Sequence, residues 1–303
     1  MKKIFPVALI FILAGLFLTL PLYPQEGGKS AVDNSKKICI TFDNLPAERI
    51  YNRAERKWIN EKILAALRKH NAPAAGFIIG DNLEGDSAIV RKWVEAGHTI
   101  GFHPYSGQAI GEVPIRLFID DVAHGMETAD SLVALSKQQG RYFRYPYLRY
   151  GATPELRRQI EEFFDYEHVT VAHVSVVTED FVYNLSMEKL VGGSDSTRFG
   201  ELCKEYVKHI LDCLARAEGL AKVVAGRRVR QIIQLHANRI NAMFLDFVLV
   251  AISEKGYRFV SLEAALQDEI YRQQDAYYLD QNISYLERLK LSNPDLLPAV
   301  KQR

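Results

Sequence analysis

Four short β-prone apolar runs in this chain each stop at a residue able to do chemistry. Asp43 follows ICITF, His103 follows TIGF, Arg144 follows RYF and His236 follows IIQL. Stretches with helically spaced apolar residues separate the runs, and such β-then-α alternation restricts the chain to a mostly parallel sheet or a barrel. In those folds functional residues collect at the carboxyl ends of strands, so all four polar residues are expected on one rim.

The flanking pattern supplies the elements. A helix is expected at about Ala54–His70, a strand in AAGFIIG, and a helix over Asp86–Ala96 closed by Gly97 before the strand HTIGFH. A long helix follows over Pro114–Gln138, and Thr153 with Pro154 caps a helix running to Phe164. HVTVAHVSVV is the longest β-prone run, Arg198–Ala225 reads as mostly helical, and Asn241–Lys255 as a helix closed by Gly256. YRFVSLEAAL adds a last strand and helix.

The ends differ from this body. Lys2 and Lys3 precede an uncharged apolar stretch from Ile4 to Tyr23, the pattern of an export signal or a membrane anchor through residues 4–20. No small-x-small cleavage pattern stands out between Pro21 and Gly28, and both readings place the rest of the chain outside the cytoplasm: periplasmic, extracellular or membrane-anchored. The expected organisation is a signal or anchor over 1–24, a linker over 25–35 rich in glycine, serine and charge, a catalytic-type domain over 36–267 and a polar, tyrosine-rich helical tail over 268–303. Lysine plus arginine (38) balance aspartate plus glutamate (37), so no long-range field recruits nucleic acid. Cys203 and Cys213 fall ten positions apart in one expected helix, about 15 Å distant and too far to bridge within it. Cys39 reads as a buried apolar residue.

TFDN, GFHPYSG, FRYPYL, TEDF and LH occur in the order and approximate spacing of the five motifs of the polysaccharide deacetylases, the NodB-homology carbohydrate esterases. The chain resembles that family from about Ile38 to Leu266. The resemblance implies an α/β fold, a distorted (β/α) barrel, and hydrolysis of N-acetyl groups on an acetylated aminosugar polysaccharide, peptidoglycan or chitin-like. It also implies a divalent metal, zinc by family habit. Such an ion polarises the acetyl carbonyl and activates a bound water, while a carboxylate takes the water's proton.

Carried over position by position, the resemblance makes Asp43 the catalytic base, Arg144 the residue that orients it, His236 the general acid and Asp180 the carboxylate that tunes His236. Tyr147, through its backbone N–H, would hold an oxyanion, and Phe181 would wall a sugar ring where the family usually has tryptophan. Asn44 and His103 remain of the metal set. The family's metal-binding aspartate is replaced by Asn44, and Gly107 stands in the place of its second histidine, so the site looks incomplete. Gln108, in a polar turn, reads as a solvated loop residue, and His98 at the entrance of the same strand as a structural one. Two further readings stand beside hydrolysis: a catalytically impaired relative that binds envelope glycan through the old cleft, and a structural protein whose cleft is closed by Asp165–Arg198 or by the tail. The sequons at Asn184 and Asn282 read as coincidental.

Overall fold

The computed structural model describes residues 35–83, 85–134, 136–191 and 196–296. The expected export segment, nearly all of the linker and the last seven residues lie outside the described residues. Among the described residues no helix is long and apolar enough to cross a membrane.

In chain order the elements are β1 (Lys36–Leu45), α1 (Arg53–Lys69), β2 (Ala74–Ile78), α2 (Ser87–Glu95), β3 (Thr99–Phe102), α3 (Ile115–Val133), β4 (Arg141–Phe143), α4 (Pro154–Glu167), β5 (Val169–Val171), α5 (Asp180–Leu190), α6 (Ser196–Ala225), β6 (Gln231–His236), α7 (Arg239–Glu254), β7 (Tyr257–Phe259), α8 (Leu262–Leu266) and α9 (Tyr285–Ser292). Every strand pair is parallel, in the order β5-β4-β3-β2-β1-β6, with β7 also joining β1. β1 is therefore the central strand. Its residues Ile38 to Asp43 are all buried, as expected of a parallel strand covered on both faces. Its alternation still matters: Thr41 and Asp43 share one face, where both meet Arg144.

Local chemistry explains the helix limits. Asn52 and Glu55 form a reciprocal capping box at the start of α1, Thr153 caps α4 ahead of Pro154, and Asn238 caps α7. α7 thus begins two residues earlier than its apolar pattern suggests. α3 ends at Val133, short of the expected Gln138, because the Gln138 side chain instead bonds both backbone groups of Ile100 in β3.

The run HVTVAHVSVV does not make the longest strand. It divides: Val169–Val171 pairs with β4, whereas Ser175 and Val176 donate to Ile232 and Val176 accepts from Gln234 of β6. At the break, His173 stacks on Tyr285 with ring centroids 3.8 Å apart and bonds the Tyr150 hydroxyl. One β-prone segment thereby serves both ends of the open sheet and closes it into a distorted (β/α) barrel.

The segment after Asp268 belongs to this body. Tyr285 donates its N–H to Val174, and α9 lies on α6. Asp275 bonds Arg157 at 3.0 Å and Arg288 at 2.9 Å, and the two guanidiniums lie over the Tyr278 and Tyr150 rings. Among the described residues after Asp268, α9 and two short 3-10 turns are helical. The three cysteines are free thiols.

Candidate active site

Asp43 and His236 are register partners on adjacent strands, which places two ionisable side chains next to one another at the carboxyl edge of the sheet. His103 and Arg144 follow the last residues of β3 and β4, themselves paired through Phe102 and Phe143. All four expected rim residues therefore converge. A cleft of about 310 Å³ opens over them, lined by Asp43, Asn44, His103, Tyr147, Phe181 and His236 among others. That size is at the lower end of ligand pockets, roughly 300–1,000 Å³. A wider groove of about 710 Å³ lies between α1 and α2, but none of the converging residues borders it.

Arg144, fully buried, donates to Asp43 Oδ1 at 2.7 Å, to the Thr41 hydroxyl at 2.7 Å and to the Ala172 carbonyl at 3.1 Å, with its plane 4.0 Å above the Phe77 ring. Gln234 donates its amide to Asp43 Oδ2 at 2.6 Å. Burial pushes the Asp43 carboxyl up, but the Arg144 guanidinium, with His103, His236 and the Gln234 amide, more than offsets this and holds it below the usual carboxylate range. A carboxylate with both oxygens engaged and a lowered pKa is a weak proton acceptor.

Asp180 opens α5 and is fully buried. It accepts from the His236 backbone N–H at 2.9 Å, from its Nδ1 at 2.6 Å, and from the amides of Asn238 at 3.0 Å and Asn241 at 2.6 Å. Burial disfavours the His236 charge, yet the Asp180 carboxylate and its hydrogen bond, with Asp43 and Glu48 further off, raise the imidazole to about 9. His236 is thus an imidazolium at neutral pH, with Nδ1 spent on Asp180 and Nε2–H left for the cleft. Burial also raises the Asp180 carboxyl, and the His236 charge and its bonds bring it below the normal range.

The metal half differs. His103 Nδ1 lies 2.8 Å from the Arg144 carbonyl, which can only accept, so Nδ1 carries the proton and Nε2 presents a lone pair. Nε2 is buried without a hydrogen-bond partner, 4.0 Å from Asp43 Oδ2. Burial lowers this imidazole to about 4. Gly107 offers no side chain. A Cβ there would sit 3.2 Å from Ile79 Cδ1, and the glycine's φ of +77° disfavours any replacement. Asn44 lines the cleft with a left-handed backbone, φ +63°. Among the described residues no three His, Cys, Asp or Glu side chains converge to hold a metal ion. One imidazole, one neutral amide and a carboxylate tied to Arg144 and Gln234 do not fit the closed or open ligand sets that zinc takes.

Tyr147 (60% exposed) and Phe181 (46% exposed) flank the cleft mouth, the latter edge-on to His236. Tyr147 and Glu179 share with Asn44 a left-handed backbone, at φ +53° and +49°, so three non-glycine residues in sparsely populated conformations border one small cleft. Such strain clusters at functional sites. Gln108 is exposed and absent from the lining, and His98 Nδ1 accepts from the Ala74 N–H in the structural role expected. Glu179, Phe181 and Asn282 stand along the wall of the cleft, so the described residues of the segment before α6 and of the tail border it rather than fill it.

Sequence reasoning missed Gln234, Ile79, Asn238 and Asn241. A polar residue two positions before His236 in a buried strand shares its face, so IIQLH carried a signal for Gln234. Nothing local marked Ile79.

The family model for polysaccharide deacetylase matches residues 30–167. A peptidoglycan-N-acetylglucosamine deacetylase of Bacillus cereus is 28% identical over 114 residues, covering 38% of this chain and 37% of that protein. One from Listeria monocytogenes is 22% identical over 238 residues, covering 78% of this chain and 39% of that protein. The chain spans well under half the length of these curated relatives. Among solved structures, a CE4 family pseudoenzyme from Bacillus anthracis matches with a TM-score of 0.53 at 16% identity, over 77% of this chain and 66% of that one. A polysaccharide deacetylase from Bacillus cereus matches with a TM-score of 0.53 at 17% identity, over 75% of this chain and 91% of that one. At that identity the structural likeness shows the fold alone.

Proposed function

From the match of residues 30–167 to the polysaccharide deacetylase family model, we propose that the chain binds an aminosugar polysaccharide of the cell envelope in the cleft over Asp43 without carrying out metal-dependent deacetylation. The observation that carries this reading is the state of the metal half. Gly107 has Ile79 against it, His103 Nε2 stands alone, and each Asp43 oxygen already accepts one bond, from Arg144 and from Gln234, which leaves no histidine–histidine–carboxylate set for an ion. A divalent ion would supply carbonyl polarisation and an activated water. The residues present do not assemble a place for it.

What the chain's own groups can do is bind. His236 Nε2–H is a charged donor suited to a sugar hydroxyl or an acetamido carbonyl. Tyr147 and Phe181 offer exposed rings on which the apolar face of a pyranose can rest. The peptidoglycan-active relatives and the export-like start, Lys2–Lys3 followed by an apolar stretch, motivate an envelope glycan met outside the cytoplasm.

Hydrolysis is the second reading, favoured by one observation: Asp43, Arg144, Asp180 and His236 stand in one constellation. Incubating the full chain and its Asp43→Asn variant with N-acetylated chitooligosaccharides or peptidoglycan, with and without zinc, separates the two. Saturable binding with no acetate release supports the proposal. Zinc-dependent acetate release that disappears in Asp43→Asn overturns it.

A further inference from the structure

The charges around the cleft do not balance. Asp43 is neutralised by Arg144 and His236 by Asp180. That leaves Glu48 and Glu179, both exposed and both on the cleft wall, with no ion pair among the described residues. Below them the buried His103 Nε2 holds an unused lone pair, 4.0 Å from Asp43 Oδ2, so a single small donor could reach both acceptors. The cleft floor thus holds an acceptor pair, and its rim carries two carboxylates that stand outside any ion pair among the described residues.

A sugar ammonium answers the same electrostatics. It is compact, has three hydrogens and no acceptor, and makes charge-assisted bonds to imidazole nitrogen and carboxylate oxygen. An acetamido group has one N–H and sets a carbonyl oxygen against the same lone pairs. We propose that the cleft recognises the free amine of a de-N-acetylated glucosamine polymer, the product of a deacetylation rather than its substrate, placing this chain after a reaction that removes acetyl groups. The inference rests on the reading of the cleft as a glycan-binding site. Glu48 and Glu179 select for the amine, His103 and Asp43 seat it, and Tyr147 and Phe181 hold the ring.

The test is calorimetric titration of the full chain with a fully de-N-acetylated β-1,4-glucosamine tetramer, with its fully N-acetylated counterpart, and with tetralysine as a cation lacking sugar rings. At about pH 6 the amines are charged. The free-amine tetramer is expected to bind about tenfold more tightly than the acetylated one, with the gap shrinking as salt is raised. In the Glu48→Gln/Glu179→Gln variant, whose altered side chains are exposed, the preference is expected to fall to about twofold or less. Equal or tighter binding of the acetylated tetramer overturns the inference and leaves the glycan-binding reading standing. An undiminished preference in the double variant, or equally tight binding of tetralysine, also overturns it. Failure of both sugars to bind overturns inference and glycan-binding reading together.

Discussion

Two halves of one cleft differ in how their side chains are held. On one side, Asp43–Arg144 and Asp180–His236 are bonded across several elements: Arg144 ties β1 to the chain after β4 and β5, and Asp180 ties the start of α5 to β6 and the start of α7. On the other side, His103 Nε2 touches no partner and Gly107 supplies nothing. The difference separates side chains that the fold depends on from side chains that it does not. The Asp43–Arg144 and Asp180–His236 pairs also hold the barrel together, so removing one partner leaves buried charges and donors unsatisfied, whereas no other part of the fold is fastened through His103 Nε2.

The sharpest way to break that comparison is to remove Asp180. Asp180→Ala removes the shared acceptor of four donors and leaves the His236 imidazolium without its counter-charge, and is expected to destabilise the fold by about 3–5 kcal/mol in urea unfolding. Arg144→Met, which strands the Asp43 carboxylate, is expected to cost about 3 kcal/mol. If either variant unfolds at the parent's urea concentration, the structural explanation for these residues fails.

The two site histidines should also separate by pH. His236 is raised from 6.5 to about 9, so its contribution to stability is complete below 6.5 and is lost as pH rises through 9. His103 is lowered from 6.5 to about 4, so its contribution is complete above 6.5 and is lost as pH falls towards 4. NMR titration of the two imidazoles checks this directly, and coincident midpoints near 6.5 would contradict it.

A metal site should be hard to rebuild from the ligand positions alone. Asn44→Asp with Gly107→His is expected to leave zinc binding weak, because Ile79 and a left-handed backbone oppose the new histidine and Gln234 still engages Asp43. Adding Ile79→Ala and Gln234→Leu is expected to tighten zinc about tenfold further. Equilibrium dialysis against zinc measures both steps. The smallest effect is expected at the mouth, where Phe181→Ala should weaken glycan binding by about 1 kcal/mol in calorimetry.

How much of this was legible beforehand follows from where each signal resides. Asp43, His103, Arg144 and His236 ended apolar runs, and parallel packing of those runs suffices to bring them to one edge. Asp180 and Phe181 open a helix after an irregular stretch, so only motif order pointed to them. The division of HVTVAHVSVV between β4 and β6 was not legible, because β propensity says that a segment pairs and not with which neighbour. That choice is made at His173 by Tyr150 and Tyr285, residues 23 and 112 positions away in sequence. Ile79 was invisible for the same reason: its effect lies in its contact with Gly107 across the cleft.

The central claim, glycan binding that needs no metal, is tested most directly by titrating the full chain with glucosamine oligomers in the presence of a strong chelator and again after adding zinc. The account predicts the same affinity in both conditions. Binding that vanishes with the chelator and returns with zinc would contradict it.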